Sequence, residues 1–232
     1  VYNKDDAILE KVLSSFPHKK QPFSTKSKDV LFKIDNKNII GPSDDKLLNI
    51  DELSIPGEHN LQNFLAASTC SHLMGISQNQ IVKSMKEFKG VEHRLEYVRT
   101  INEADYINDS KATNIDSVIV AINTYKQPIV LILGGFNKGA NFRLLLPHIK
   151  SSHVRDIVSY GDAGGQINTA LGDAVRSVQV TDLSSAVKKA QLMAAPGDIV
   201  LLSPGCASYD EFSNFEERGN HFKSIIKSLA AS

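Results

Sequence analysis

Three clusters in the sequence carry residues able to hold an anion: Asp109-Ser110-Lys111-Ala112-Thr113-Asn114, Gly134-Gly135-Phe136-Asn137-Lys138-Gly139 and Ser203-Pro204-Gly205-Cys206-Ala207-Ser208. Lys111 and Lys138 each offer a compact cation with three donors, suited to a phosphate or a carboxylate. The two glycines ahead of Lys138 let the backbone approach a ligand closely. Asn114 is placed to cap a following helix, whose positive end reinforces anion binding nearby. Earlier in the chain, Asn60 and Asn63 share a helix face if a helix has begun by Asn60. Their carboxamides suit a base edge such as adenine, and capping by Asn60 alone is the alternative. His93-Arg94 stands between these two regions and reads equally as an ordinary surface pair.

The elements that must position these clusters follow from periodicity. A short helix is expected over Ala7–Phe16, then strands at Val30–Ile34 and Asn38–Ile40, broken by Asp-Asn and Gly-Pro turns. Leu61, Phe64, Leu65 and Leu73 fall on helical spacing, with Gly75 as the stop. Ser77 and Gln80 form a capping box for a second helix carrying Ile81, Val82, Met85 and Phe88. Gly90 marks a domain boundary. Beyond it, strands at Tyr97–Ile101, Tyr106–Asn108, Ile129–Leu133, Asp156–Tyr160, Val178–Val180 and Ile199–Leu202 alternate with helices. The helices are expected at Ile115–Tyr125, Asn141–Ile149, Gly165–Leu171, Ser184–Ala194 and Phe212–Leu229. Such alternation predicts a doubly wound, Rossmann-like α/β domain, in which all three clusters follow strand ends where ligands bind.

Composition narrows the partners. Lys plus Arg and Asp plus Glu both number 26, so no basic excess exists to release counterions from nucleic acid. No apolar run approaches the roughly 18 residues of a membrane span, and no signal peptide opens the sequence. Cys70 and Cys206 have no metal-ligand neighbours at useful spacing, which suits unpaired thiols in a reducing compartment. A first residue of Val suggests a piece of a longer chain.

Taken in order, GEHNLQN, HRLE, NDSKATN, GGFNKGANF and LLSPGCASYDEFSNFEERG resemble the Mur ligase family, within it the branch that adds D-glutamate. The likeness runs from near the first residues to the C-terminus, and the last three motifs are specific. The signature of the diamino-acid branch is absent, and folylpolyglutamate synthases share the architecture but not the DSKATN and SPxCAS blocks. Two positions that are often acidic in the family are Asn137 and Asn141 here, and Gly205 stands where Ala is common.

The resemblance implies an ATP- and Mg2+-dependent ligase joining D-glutamate to UDP-N-acetylmuramoyl-L-alanine, cytoplasmic and monomeric, with no nucleic-acid or membrane partner. It assigns adenine contacts to Asn60 and Asn63, and ribose and phosphate contacts to Arg94, Asp109 and Lys111. The D-glutamate pocket falls to Thr113, Lys138, Ser208 and Phe215, and catalytic roles to Lys111 and His93. The family's central domain carries a G-x-x-G-K-[ST] loop, metal ligands and a carbamylated lysine, and no such loop occurs here. Residues 1–90 are therefore expected to be the C-terminal part of the central ATP-binding domain, and 91–232 the whole amino-acid-binding domain. The metal ligands are then expected upstream and the chain inactive alone. A stand-alone nucleotide-binding or scaffold module, or a folate-type glutamate ligase, remain the alternatives.

Overall fold

The computed structural model describes residues 1–55 and 57–229. Val1–Gly90 and Val91–Ser232 form two separate units.

In the first unit, β1 (Tyr2–Asn3) leads into α1 (Ala7–Ser14), which Asp6 opens by accepting from the Ile8 and Leu9 N–H groups at 2.9 and 3.1 Å. β2 (Pro22–Phe23) pairs parallel with β1. The strand expected from Val30 begins only at Lys33. The Ser24 and Ser27 hydroxyls take the N–H groups of Lys26, Ser27 and Asp29, and this local bonding competes with a ladder. β3 (Lys33–Asp35), β4 (Asn38–Ile40) and β5 (Lys46–Asn49) then form an antiparallel meander. Asn36 and Lys37, at φ of 45° and 61°, make its first turn. α2 (Glu58–Leu73) and α3 (Gln78–Glu87) cover the meander, the latter opened by the expected Ser77–Gln80 capping box. Phe32, Ile39, Leu48, Phe64, Leu65, Ile81 and Met85 form the core between them. The strands β1 and β2, two residues each, are too short for alternation to reveal, and β5 has no counterpart among the expected strands.

The second unit runs β6 (Glu96–Ile101), β7 (Ala104–Asn108), α4 (Ile115–Thr124), β8 (Ile129–Gly134), α5 (Leu146–Ser151), β9 (Val154–Tyr160) and α6 (Gly164–Leu171). It continues through β10 (Arg176–Gln179), α7 (Leu183–Met193), β11 (Ile199–Gly205) and α8 (Phe215–Ser228). The sheet order is β10-β9-β8-β11-β7-β6, parallel throughout except for the antiparallel edge strand β6. Successive strand residues face opposite ways. Leu131, Leu133, Ile157 and Leu201 pack on α4, α5 and α6, whereas Val130, Ile132, Val158 and Leu202 pack on α7 and α8. Each fully buried aliphatic side chain contributes about 1.5–3 kcal/mol of transfer free energy. The continuous apolar runs read from the sequence are thus strands covered on both faces.

Two helix boundaries depart from expectation. The segment 141–149 is not one helix but a 3-10 turn over Phe142–Leu145 followed by α5, whose first turn contains Pro147. A proline there loses no hydrogen bond, because first-turn N–H groups have no helical partner. The closing helix starts at Phe215 rather than Phe212. Asn214 adopts extended geometry and its side chain accepts from the Glu217 N–H at 2.7 Å, which fixes the start.

Candidate active site

The three polar clusters occupy the carboxyl ends of β7, β11 and β8, which are neighbours in the sheet. Backbone hydrogen bonds tie them together. Gly205 N–H donates to the Ala112 carbonyl at 2.8 Å, and Phe136 and Ala207 exchange N–H bonds at 2.9 and 3.0 Å. This last pair is an isolated antiparallel bridge that links the Lys138 loop to the Ser208 loop. Gly135 makes it possible. Its φ is +116°, and a Cβ there would lie 2.3 Å from the Ala207 carbonyl oxygen.

Beneath the loops lies Arg218 from α8, fully buried. Its Nε donates to Ser110 Oγ at 2.9 Å and its Nη2 to the Ser110 carbonyl at 2.8 Å. Its Nη1 donates to the Cys206 and Ala207 carbonyls, both at 3.1 Å. Ser110 Oγ in turn donates to the Phe215 carbonyl at 2.8 Å. Every partner of the guanidinium is a neutral oxygen. A buried cation is tolerated only when its donors are satisfied, so the loops are held where these oxygens can reach it. Sequence reading passed over Arg218, which stands in the quoted FEERG run like any charge on a helix face.

Asp109 is 5% exposed. Its carboxylate accepts from Ser203 Oγ at 2.8 Å and from the Leu95 N–H at 3.2 Å. Burial pushes its carboxyl up to about 7, against the opposing pull of those two bonds and of Arg94. Lys111 is exposed, with its Nζ 5.5 Å from the centre of the Phe215 ring. Thr113 follows half-buried, and Ser208 is buried at the head of the loop before α8. Lys138 is exposed and makes no ion pair among the described residues.

His93 is buried, with Nδ1 3.0 Å from Asn108 Nδ2 and its ring edge-on to Phe215 at 6.1 Å. A Cβ at Gly219 would fall 2.1 Å from that Nδ1, so the imidazole lies against bare helix backbone. Burial, aided by the Lys223 charge, holds its pKa below the ordinary value and favours the neutral ring. Arg94 beside it is exposed. The structure thus brings His93, Asp109, Lys111, Thr113, Lys138, Ser208 and Phe215 to the carboxyl-end side of one sheet, with Arg94 on the turn that His93 and Leu95 flank.

Asn137 and Asn141 organise the Lys138 loop. Asn137 Oδ1 accepts from the Gly139 and Ala140 N–H groups at 2.9 and 2.7 Å, and its amide donates to Gln166 Oε1 at 2.7 Å. Asn141 accepts from the Arg143 N–H at 3.1 Å. An aspartate could accept the same backbone bonds at either position, but could not make the Asn137 amide's donation to Gln166. In the first unit, Asn60 is buried and Asn63 exposed. Gly57 is the helix cap, so Asn60 sits on the third helical residue and is not the cap. Among the described residues no group of three or more His, Cys, Asp or Glu is placed to hold a metal ion.

Residues 93–206 match the family described as Mur ligase, glutamate ligase domain. The UDP-N-acetylmuramoylalanine–D-glutamate ligase of Lactobacillus johnsonii is 40% identical over 228 residues, covering 96% of this chain and 48% of that protein. The enzyme of the same name from Clostridioides difficile is 41% identical over 234 residues, covering 99% and 52%. The chain belongs to the Mur ligase family. It spans about half the length of the curated relatives it matches. Among solved structures, the UDP-N-acetylmuramate-alanine ligase of Thermotoga maritima superposes with a TM-score of 0.64 at 15% identity, covering 90% of this chain and 48% of that one. The bifunctional folylpolyglutamate synthase/dihydrofolate synthase of Yersinia pestis gives 0.62 at 16% identity, covering 94% and 50%. At such identities the likeness establishes the shared Mur ligase fold.

Proposed function

We propose that this Mur ligase chain is part of an ATP-dependent ligase that joins D-glutamate to UDP-N-acetylmuramoyl-L-alanine in peptidoglycan precursor synthesis. The observation that carries the reading is the placement of Lys111, Lys138 and Ser208 on three loops tied together over one buried guanidinium. The names of relatives 37–46% identical support it.

In this reading the ATP γ-phosphoryl group passes to the muramoyl-alanine carboxylate, and the D-glutamate amine displaces phosphate from the acyl phosphate. Activation is required because a carboxylate is a poor electrophile at neutral pH. The protein's part is positioning and charge neutralisation. Lys138 pairs a carboxylate of D-glutamate, Ser208 and Thr113 hydrogen-bond it, and Phe215 lines the pocket. Lys111 and Arg94 meet phosphate oxygens, with Asp109 ordering the turn that carries Arg94. Asn60 and Asn63 are assigned to adenine. His93, neutral and packed, serves the geometry of Lys111 through its carbonyl, which accepts the Lys111 N–H at 3.0 Å. Mg2+ would neutralise phosphate charge, but no described residue cluster suits it, and none is assigned. Two free thiols fit a cytoplasmic protein, and we take it to act as a monomer.

The test is phosphate release by the full-length ligase with ATP and magnesium. Release should require both UDP-N-acetylmuramoyl-L-alanine and D-glutamate. Stimulation by L-glutamate with a folate acceptor instead would replace this reading with a folate-type ligase, and binding without turnover would leave a nucleotide-binding module.

A further inference from the structure

The turn bearing Arg94 is strained on both sides. His93 and Leu95 have φ of +63° and +46°, and neither is a glycine. Non-glycine residues in this region persist only where surrounding contacts over-determine them, commonly at functional sites. The contacts here converge on Glu96. Its Oε2 accepts from the His93 N–H at 2.9 Å and from Asn108 Nδ2 at 2.9 Å, and its Oε1 accepts from Lys223 Nζ at 3.0 Å. Lys223, from α8, also reaches Glu92 at 3.4 Å. Asn108 further contacts His93 Nδ1. On the other flank, Asp109 takes the Leu95 N–H and Lys111 N–H reaches the His93 carbonyl. The backbone around Arg94 is therefore pinned while its side chain stands exposed.

We propose that Glu96, braced by Asn108 and Lys223, is a positioning residue that holds the strained His93–Leu95 turn and so aims Arg94 at an anionic group of the nucleotide. This rests on the ligase reading above for what Arg94 meets, while the bracing itself stands on this chain alone. Three partners on one carboxylate are more than a surface ion pair needs. Burial opposes the ionisation of Glu96, yet the His93 N–H, Lys223 and Asn108 together outweigh it and hold the carboxyl below its ordinary range. The charge is thus fixed wherever the enzyme works near neutrality.

The Lys138 and Ser208 loops are fastened by the Arg218 bonds to the Cys206 and Ala207 carbonyls and by the Phe136–Ala207 bridge, none of which touches Glu96. Loosening Glu96 should therefore separate the two substrates. The experiment uses Glu96→Ala and Glu96→Gln, read by amide hydrogen exchange in the 232-residue chain and by steady-state kinetics in the full-length ligase. Glu96→Ala should speed exchange at His93, Leu95 and Lys111 by about tenfold or more, as for one lost charge-assisted bond, while Leu131 and Val200 stay unchanged. The KM for ATP should rise by a similar factor with the KM for D-glutamate unmoved. Glu96→Gln, which keeps an oxygen for the His93 N–H, should recover part of both effects. Unchanged exchange at His93 and Leu95, or acceleration shared equally with Leu131 and Val200, overturns the proposal. So does a KM for D-glutamate that rises alongside that for ATP. If the parent ligase shows no D-glutamate-dependent turnover, the functional reading falls, and the exchange measurements alone decide the bracing.

Discussion

Replacing Asp109 with Asn keeps the shape of the side chain and removes its titration. In the fold, its carboxyl ionises at about 7, against 3.8 for the free group. The unfolded chain therefore gives up its proton first. Stability contributed by the protonated form is complete below about pH 4 and is lost as pH rises to about 7, then stays flat. At about 1.4 kcal/mol per pH unit, the total loss approaches about 4 kcal/mol, of which about 2–3 kcal/mol falls between pH 5 and 8. In Asp109→Asn, Oδ1 can still accept the Leu95 N–H, and the amide can donate to Ser203 Oγ, whose hydroxyl also accepts. His93 titrates in both proteins and cancels from the comparison. Its lowered pKa removes stability only as pH falls below about 6.5. The assay is thermal unfolding of parent and variant from pH 5 to pH 8. The variant's advantage should widen by about 5–10 °C across that span, at about 2–4 °C per kcal/mol for a protein of this size. An advantage independent of pH, or one that narrows with rising pH, would refute the assignment of a buried, proton-holding Asp109.

Two further outcomes follow from the loops. Lys138→Ala removes a cation that has no competing ion pair among the described residues, so it should weaken D-glutamate binding by about tenfold or more, leaving L-glutamate unaffected, as read by ligand-observed NMR. Equal signals for both enantiomers in both proteins would remove Lys138 from the pocket. Gly135→Ala forces a Cβ to 2.3 Å from the Ala207 carbonyl at a φ of +116°. It should cost at least about 2–3 kcal/mol in urea unfolding, and a loss below about 0.5 kcal/mol would mean the bridge yields easily.

Much of the fold was legible because its signals are local. The apolar runs at Ile129 and Ile199 mark strands covered on both faces, and the polar clusters after them are loops at strand ends because turn-forming residues sit there. Ser77 and Gln80 announced their helix through side chains three residues apart. What escaped depends on distant partners. Arg218 and Glu96 look like solvated charges until Ser110 and Lys223 are brought to them. The proton affinity of Asp109 is set by burial, which no neighbouring residue in sequence encodes. The segment before Lys33 has strand-like composition, yet serine hydroxyls a few residues earlier claim the nearby backbone.

Arg218 has a consequence for the order in which the site comes into being. Its partner Ser110 lies 108 residues earlier in the chain, and α8 follows every strand of the sheet. A nascent chain that has emerged through β11 can lay down the parallel sheet while the Ser110 and Cys206 carbonyls still lack their donor. The three ligand loops, already linked by the Gly205–Ala112 and Phe136–Ala207 backbone bonds, gain their shared guanidinium anchor only when α8 docks, a contact of long sequence separation. Full ligand-binding competence during synthesis should therefore wait on α8, which touches the loops from beneath, rather than on the loops that meet the ligand.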